Sequence, residues 1–255
     1  MISSHLQNKG PAMRFHPIYY ITLVCPSLET SLGKIQEYIQ NGATALQIDM
    51  PSRNPVYETP FVAEMMAKAL AEYASYDRFM DELRAVRKAY PHVEIHLVLY
   101  PDVIESIGFD RFVSYFLEAG FSSLMLVSTD EALRIALRNA GITLLSSISK
   151  DMTEAELAMA TSASADDVIA LNYRLHTQSA RTQYPTFADK IRFLRERGVR
   201  ARVFAVEGIA TKEMMLEVRD AGADGALVGN VLMRLWNEPD RLWDLFRQFQ
   251  EVAYA

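Results

Sequence analysis

Residues 45–55 read ALQIDMPSRNP, an apolar run that ends in polar side chains and a proline. The pattern is typical of a buried strand that carries polar groups to a site at its carboxyl end. Gln47 and Asp49 are two residues apart, so on a strand they share a face and lie about 6–7 Å from each other. The stretch therefore raises the question of whether one of these two side chains donates or accepts a proton in a reaction.

Outward from this stretch, short β-like runs alternate with longer amphipathic segments along the whole chain. The predicted strands are 18–24, 45–49, 94–99, 123–127, 142–145, 167–171, 202–206 and 225–228. The predicted helices are 31–40, 61–73, 76–90, 109–119, 131–139, 154–161, 187–197, 211–221 and the tail after Pro239. Most of them end at a glycine, and Thr153 with Glu156 predicts a capping box at the start of one helix.

Eight strand–helix units without a linker predict a parallel sheet covered by helices, which favours a closed (β/α)8 TIM barrel, an α/β fold. We expect one domain over residues 1–255, with residues 1–15 as a polar N-terminal extension. A doubly wound open sheet is the alternative. It is disfavoured because no glycine-rich dinucleotide fingerprint follows the first strand.

Composition narrows the class of protein. The 255 residues carry a net charge of −6, which argues against a nucleic-acid partner or an anionic membrane surface. Cys25 is the single cysteine, so no intrachain disulfide can form. The first residues are polar, and no apolar run approaches the roughly 18 residues needed to span a membrane. These features predict a cytoplasmic enzyme.

In a barrel, chemistry is expected at the carboxyl ends of the strands. Polar or glycine residues follow most of the predicted strands there, and the candidates are Gln47, Asp49, Tyr100, Asn172, Arg174, Glu207, Gly208, Gly229 and Asn230. The glycines at 208 and 229 would let backbone N–H groups approach an anion such as phosphate. They could equally serve only to make tight strand-to-helix turns, and a carboxylate at 207 counts against phosphate unless it points away.

Several ordered motifs resemble the alpha subunit of tryptophan synthase. The matching stretches are Ile21-Thr22-Leu23 with Pro26, residues 42–46 with Pro51, Asn54-Pro55 and Pro60, residues 97–100 with Gly108-Phe109, Gly208-Ile209, and residues 221–226 with Gly229. The resemblance covers roughly residues 21–236 and is weakest over 128–181.

The resemblance implies a retro-aldol cleavage of indole-3-glycerol phosphate to indole and glyceraldehyde 3-phosphate by two carboxylates. One family carboxylate, an aspartate on the loop after the second strand, corresponds to Glu58, which we expect to act as the base or as an orienting carboxylate. The other, a glutamate on the second strand, corresponds to Gln47, and an amide cannot exchange a proton at neutral pH. Asp49 stands where the family usually has glycine, and we expect it to be the substitute acid.

The remaining candidates take their roles from the same resemblance. Gln47, Tyr100, Asn172, Arg174 and Glu207 are expected to contact the substrate, and Gly208, Gly229 and Asn230 to bind its phosphate. The loop after the sixth strand departs from the family, and Arg174 or His176 could offset the lost backbone donors. A beta-type tryptophan synthase subunit or a second copy of the chain is a possible partner, and no cofactor or metal is expected.

Two other functions stay open. Without its glutamate, the chain could be an inactive or repurposed alpha-like barrel that binds a ligand or a partner. It could also be another phosphate-binding barrel, an isomerase or synthase, with Glu207 as its catalytic carboxylate.

The two candidate carboxyl groups also have simpler interpretations. Asp49 could be a strand-end residue paired with an arginine, and Glu58 could be merely solvated.

Overall fold

The computed structural model describes residues 15–24, 26–56, 58–128, 130–149, 151–165, 167–173 and 184–254. The strands in this part are His16–Thr22 (β1), Ala45–Asp49 (β2), Glu94–Leu99 (β3), Ser123–Leu126 (β4), Leu144–Ile148 (β5), Val168–Asn172 (β6), Arg202–Val206 (β7) and Gly225–Val228 (β8). Each strand pairs in parallel with the next, and β8 pairs with β1. The sheet is thus a closed eight-stranded barrel, and the predicted fold class is confirmed.

Helices connect the strands on the outside of the barrel. They are Leu28–Gln40 (α1), Pro60–Glu72 (α2), Asp77–Ala89 (α3), Pro101–Ile107 (α4), Phe109–Ala119 (α5), Glu131–Asn139 (α6), Glu154–Ser162 (α7), Phe187–Glu196 (α8), Lys212–Asp220 (α9), Asn230–Met233 (α10) and Pro239–Tyr254 (α11). The capping box of Thr153 and Glu156 is present at the start of α7, as predicted. No helix within the described ranges is long and apolar enough to cross a membrane.

The structure differs from the predicted elements at several points. The fifth strand, predicted at 142–145, is Leu144–Ile148, because the N–H of Ile142 still bonds to Leu137 and closes the end of α6. The first strand ends at Thr22 instead of residue 24, where the N–H of Leu23 turns to the side chain of Asp49. The helices α4 and α10 lie outside the predicted pattern.

Apolar side chains form two layers, one inside the barrel and one between the barrel and the helices. The inner layer contains Ile18, Ala45, Leu145, Val168, Ala170, Phe204 and Leu227. Leu46 and Ile48 belong to the outer layer. Since side chains alternate along a strand, Gln47 and Asp49 point with Ala45 into the barrel, which confirms that they share a face.

Candidate active site

Asp49 ends β2 and is buried, with 1% of its surface exposed. Its Oδ2 accepts a hydrogen bond from the Tyr20 hydroxyl at 2.5 Å, and its Oδ1 accepts one from the Leu23 N–H at 3.1 Å. Both donors come from β1 and its end, because Thr22 lies beside Asp49 in the register of the two strands. The two bonds hold both oxygens of the carboxyl group, and within the described ranges no arginine forms an ion pair with Asp49.

The environment of Asp49 favours its protonated form. Burial, and after it the nearby Glu58 carboxylate, raises the pKa of Asp49 to about 8. The hydrogen bonds from Tyr20, Leu23 and Thr22 lower the pKa but do not offset burial. Asp49 therefore carries a proton at neutral pH and can act as an acid there.

Glu58 lies half-buried in the loop between β2 and α2 and is the second carboxyl group of the site. The Tyr100 hydroxyl donates to its Oε1 at 3.3 Å. Burial raises the pKa of Glu58, and the bond from Tyr100 lowers it. Glu58 is thus half-buried and hydrogen-bonded to Tyr100, so it is not merely a solvated loop residue.

The loop that carries Glu58 is held by hydrogen bonds to a residue of α4 and from the residue that precedes α3. Asp102, at the start of α4, accepts hydrogen bonds from the Ser52 hydroxyl at 2.7 Å and from the Arg53 N–H at 2.8 Å. The Tyr76 hydroxyl donates to the carbonyl of Pro51 at 2.7 Å. These bonds anchor the first half of the loop.

Gln47 lies one inward-facing position below Asp49 and is 4% exposed. Its Nε2 contacts the sulfur of Met125, a residue of the inner apolar layer, at 4.0 Å. Gln47 thus lies deeper in the barrel than the carboxyl pair, and Asp49 is the member of the two that is nearer the mouth.

The other predicted site residues that the structure describes lie at the carboxyl ends of β6, β7 and β8. Asn172 is buried at the end of β6, and its carbonyl accepts from the ammonium group of Lys190 at 3.0 Å. Glu207 is exposed and has a left-handed φ of 62°, followed by Gly208 with a φ of 100°. The left-handed turn at position 208 therefore favours glycine by its backbone conformation. Arg174 lies outside the described residues.

Gly229 is a glycine for a different reason. Its φ of −136° is open to any residue, but a Cβ there would lie 2.7 Å from Cδ1 of Tyr20. The turn between β8 and α10 therefore packs directly on the ring of Tyr20. Asn230 follows as the exposed first residue of α10.

The structure thus brings Asp49, Glu58 and Tyr100 together and adds Tyr20 to them. Tyr20 is missing from the candidates predicted from the sequence. The available signal was that Tyr20 and Thr22 alternate on one face of a predicted strand, as Gln47 and Asp49 do on the next. Among the described residues, no group of three or more His, Cys, Asp or Glu side chains is arranged to hold a metal ion.

Comparisons with known proteins agree with this barrel. A family model described as tryptophan synthase alpha chain matches residues 7–252. The chain is 28% identical over 245 residues to the tryptophan synthase alpha chain of Corynebacterium diphtheriae, covering 91% of this chain and 88% of that one. Its fold is similar to a solved structure from Aquifex aeolicus (TM-score 0.80, 21% identity, 95% and 94% of the two chains covered). It is also similar to tryptophan synthase subunit alpha from Legionella pneumophila (TM-score 0.77, 19% identity, 94% and 92% covered). The chain belongs to the tryptophan synthase alpha chain family.

Proposed function

We propose that the protein is a carbon–carbon lyase that cleaves indole-3-glycerol phosphate, or a related small phosphorylated substrate, by a retro-aldol reaction. Membership of the family supports the reaction class. The observation that carries the proposal for this chain is the pair of carboxyl groups at the mouth, Asp49 and Glu58, which lie in different environments. Two carboxyl groups whose environments differ can serve as an acid and a base in the same step.

Each carboxyl group has one role in the proposed step. Glu58, as the carboxylate, takes the proton of the substrate hydroxyl on the carbon that becomes the aldehyde. Asp49, which is protonated at neutral pH, gives its proton to the ring carbon that bears the side chain. The bond between these two carbons breaks, its electron pair stays with the ring, and the products contain all the atoms of the substrate. Transfer of one proton from Glu58 back to Asp49 restores the site.

The remaining candidates bind and orient the substrate in this proposal. Gln47 contributes an amide that can hydrogen-bond but cannot transfer a proton. The other proposed substrate contacts are Tyr100, Asn172, Arg174 and Glu207, and the proposed phosphate contacts are Gly208, Gly229 and Asn230. No cofactor takes part in the step.

Release of indole from indole-3-glycerol phosphate tests the proposal. We expect turnover by the wild type and a fall of about 10²–10⁴ in kcat for Asp49→Asn, since the acid is lost while the shape is kept. The matched control is Asp81→Asn, an exposed aspartate on α3 that pairs with Arg84 and lies outside the site. Turnover by Asp49→Asn at the wild-type rate would refute the role of Asp49.

A second candidate function has its own observation. Gln47 is a buried amide at the position of the family glutamate, which favours an alpha-like barrel that binds a ligand or partner without catalysis. No indole release by the wild type, together with release by Gln47→Glu, would select this alternative. The partner proposed for either function is a beta-type tryptophan synthase subunit, and co-elution of the two purified chains in gel filtration tests it.

A further inference from the structure

We propose that Tyr20 is a positioning residue of the site: its hydroxyl group orients the Asp49 carboxyl group, and its ring links that group to the turn at Gly229. The inference rests on the proposed function of Asp49 as the acid. It concerns a residue of β1 that does not itself need to touch the reacting atoms.

The hydrogen bonds around Asp49 define which oxygen exchanges the proton. The Leu23 N–H donates to Oδ1 and can only donate, so Oδ1 carries no proton while this bond exists. Oδ2 faces the hydroxyl of Tyr20 at 2.5 Å. Oδ2 is therefore the oxygen on which Asp49 carries its proton, and the Tyr20 hydroxyl fixes the position of that oxygen.

A hydroxyl group suits both protonation states of the carboxyl group, because it can accept and donate. With Asp49 protonated, the phenol oxygen accepts from Oδ2, and its own O–H turns to the Thr22 hydroxyl 3.0 Å away. With Asp49 ionised, the phenol donates to Oδ2 and accepts from Thr22. Burial raises the pKa of Tyr20 well above its ordinary value of 10, so the phenol keeps its proton in both states.

The ring of Tyr20 packs against the turn at Gly229. A Cβ at position 229 would lie 2.7 Å from Cδ1 and 2.9 Å from Cβ of Tyr20. The φ of Gly229, −136°, lies outside the left-handed region, so this glycine is not explained by a positive φ. The glycine therefore makes room for the ring, and the turn proposed to hold the substrate's anionic end touches the side chain that orients the acid.

In the part of the chain that the structure describes, few other groups act on Asp49. Glu58 faces it from the loop after β2 and disfavours its ionised form, and Tyr100 at the end of β3 hydrogen-bonds Glu58. Tyr20 and Thr22 face it from β1 and favour the ionised form. Removal of the Tyr20 hydroxyl should therefore raise the pKa of Asp49, whereas a change of packing alone should leave it in place.

Tyr20→Phe tests the inference, because it keeps the ring and removes the hydroxyl. Infrared difference spectra against Asp49→Asn follow the Asp49 carboxyl group in the unliganded protein, and the alkaline limb of kcat/KM follows it during turnover. We expect both midpoints to rise by about one to two pH units. This shift corresponds to the free energy that a hydrogen bond to a charged group contributes. The matched control is Tyr115→Phe in α5, a buried tyrosine whose hydroxyl has no hydrogen-bond partner in the described part of the chain.

The two readouts separate this inference from the proposed function. Turnover with an unmoved carboxyl titration in Tyr20→Phe would overturn the role of Tyr20 and leave the lyase proposal intact. Absence of turnover in the wild type would remove the lyase proposal, while the carboxyl titration would still decide whether Tyr20 acts on Asp49. Thr22→Val is the second variant if Tyr20→Phe does not fold, and a smaller rise of the same midpoint is expected, because the Thr22 hydroxyl also favours ionised Asp49.

Discussion

Asp49→Asn should stabilise the protein at alkaline pH and leave its stability in acid unchanged. The pKa of Asp49 is raised from its ordinary 3.8 to about 8 in the folded protein. Below about pH 4 the carboxyl group is protonated in the folded and the unfolded chain, so it does not affect the free energy of unfolding. As the pH rises from there to about 8, only the unfolded chain releases the proton, and stability falls until the folded carboxyl group also ionises.

The size of the effect follows from the same shift. The difference between 3.8 and about 8, at about 1.4 kcal/mol for each pKa unit, corresponds to about 6 kcal/mol. Because buried charges are partly solvated by relaxation of the protein, we expect about 2–4 kcal/mol in the experiment. The asparagine keeps the local contacts, since its oxygen can accept from the Leu23 N–H and its amide can donate to the phenol oxygen of Tyr20.

Urea unfolding of wild type and Asp49→Asn at about pH 5 and about pH 8.5 measures this difference. The free energy of unfolding of the variant, relative to that of the wild type, should be higher at the alkaline pH than at the acidic one. The exposed control Asp81→Asn should show no such change. An equal difference at both pH values would refute the reasoning, because it would mean that the folded protein does not hold the Asp49 carboxyl group protonated.

Three further predictions concern the turn at Gly229, the loop that carries Glu58 and the start of β1. Gly229→Ala should lower the free energy of unfolding by about 1–3 kcal/mol through its clash with the neighbouring ring. Thermal unfolding measures this, and Gly33→Ala, a helical position with open space, should stabilise. Asp102→Ala should lower kcat by loosening the loop that carries Glu58, and a crystal structure with the loop unmoved would contradict this. Burial lowers the pKa of His16 below 6.5, so the neutral form is favoured in the fold and stability is lost as the pH falls below about 6.5. Urea unfolding of His16→Gln should show a smaller loss over that range.

The barrel could be predicted because its signals are local. Residues 45–49, 94–99, 202–206 and 225–228 are short apolar runs between amphipathic segments, and the structure has strands with the same bounds. The fifth strand could not be placed from its own residues. Ser146 is polar, yet it lies buried within the strand because Arg134 reaches its hydroxyl from α6 at 3.2 Å.

The candidate site was only partly predictable for a related reason. Gln47 and Asp49 share a face because they are two residues apart, which the sequence shows directly. The bond of Asp49 to Tyr20 depends on the register between β1 and β2, which brings residues 29 positions apart together. The reason for glycine at position 229 depends on the same ring. Such non-local contacts leave no periodic pattern in the sequence.

The central claim is that Asp49, and not the residue at position 47, supplies the acid of the site. Titration of the Asp49 carboxyl group in the unliganded wild type, by infrared difference against Asp49→Asn, tests it most directly. The account predicts a midpoint at about 8. A midpoint at the ordinary value of 3.8 would contradict the account, because Asp49 would then hold no proton to give at neutral pH.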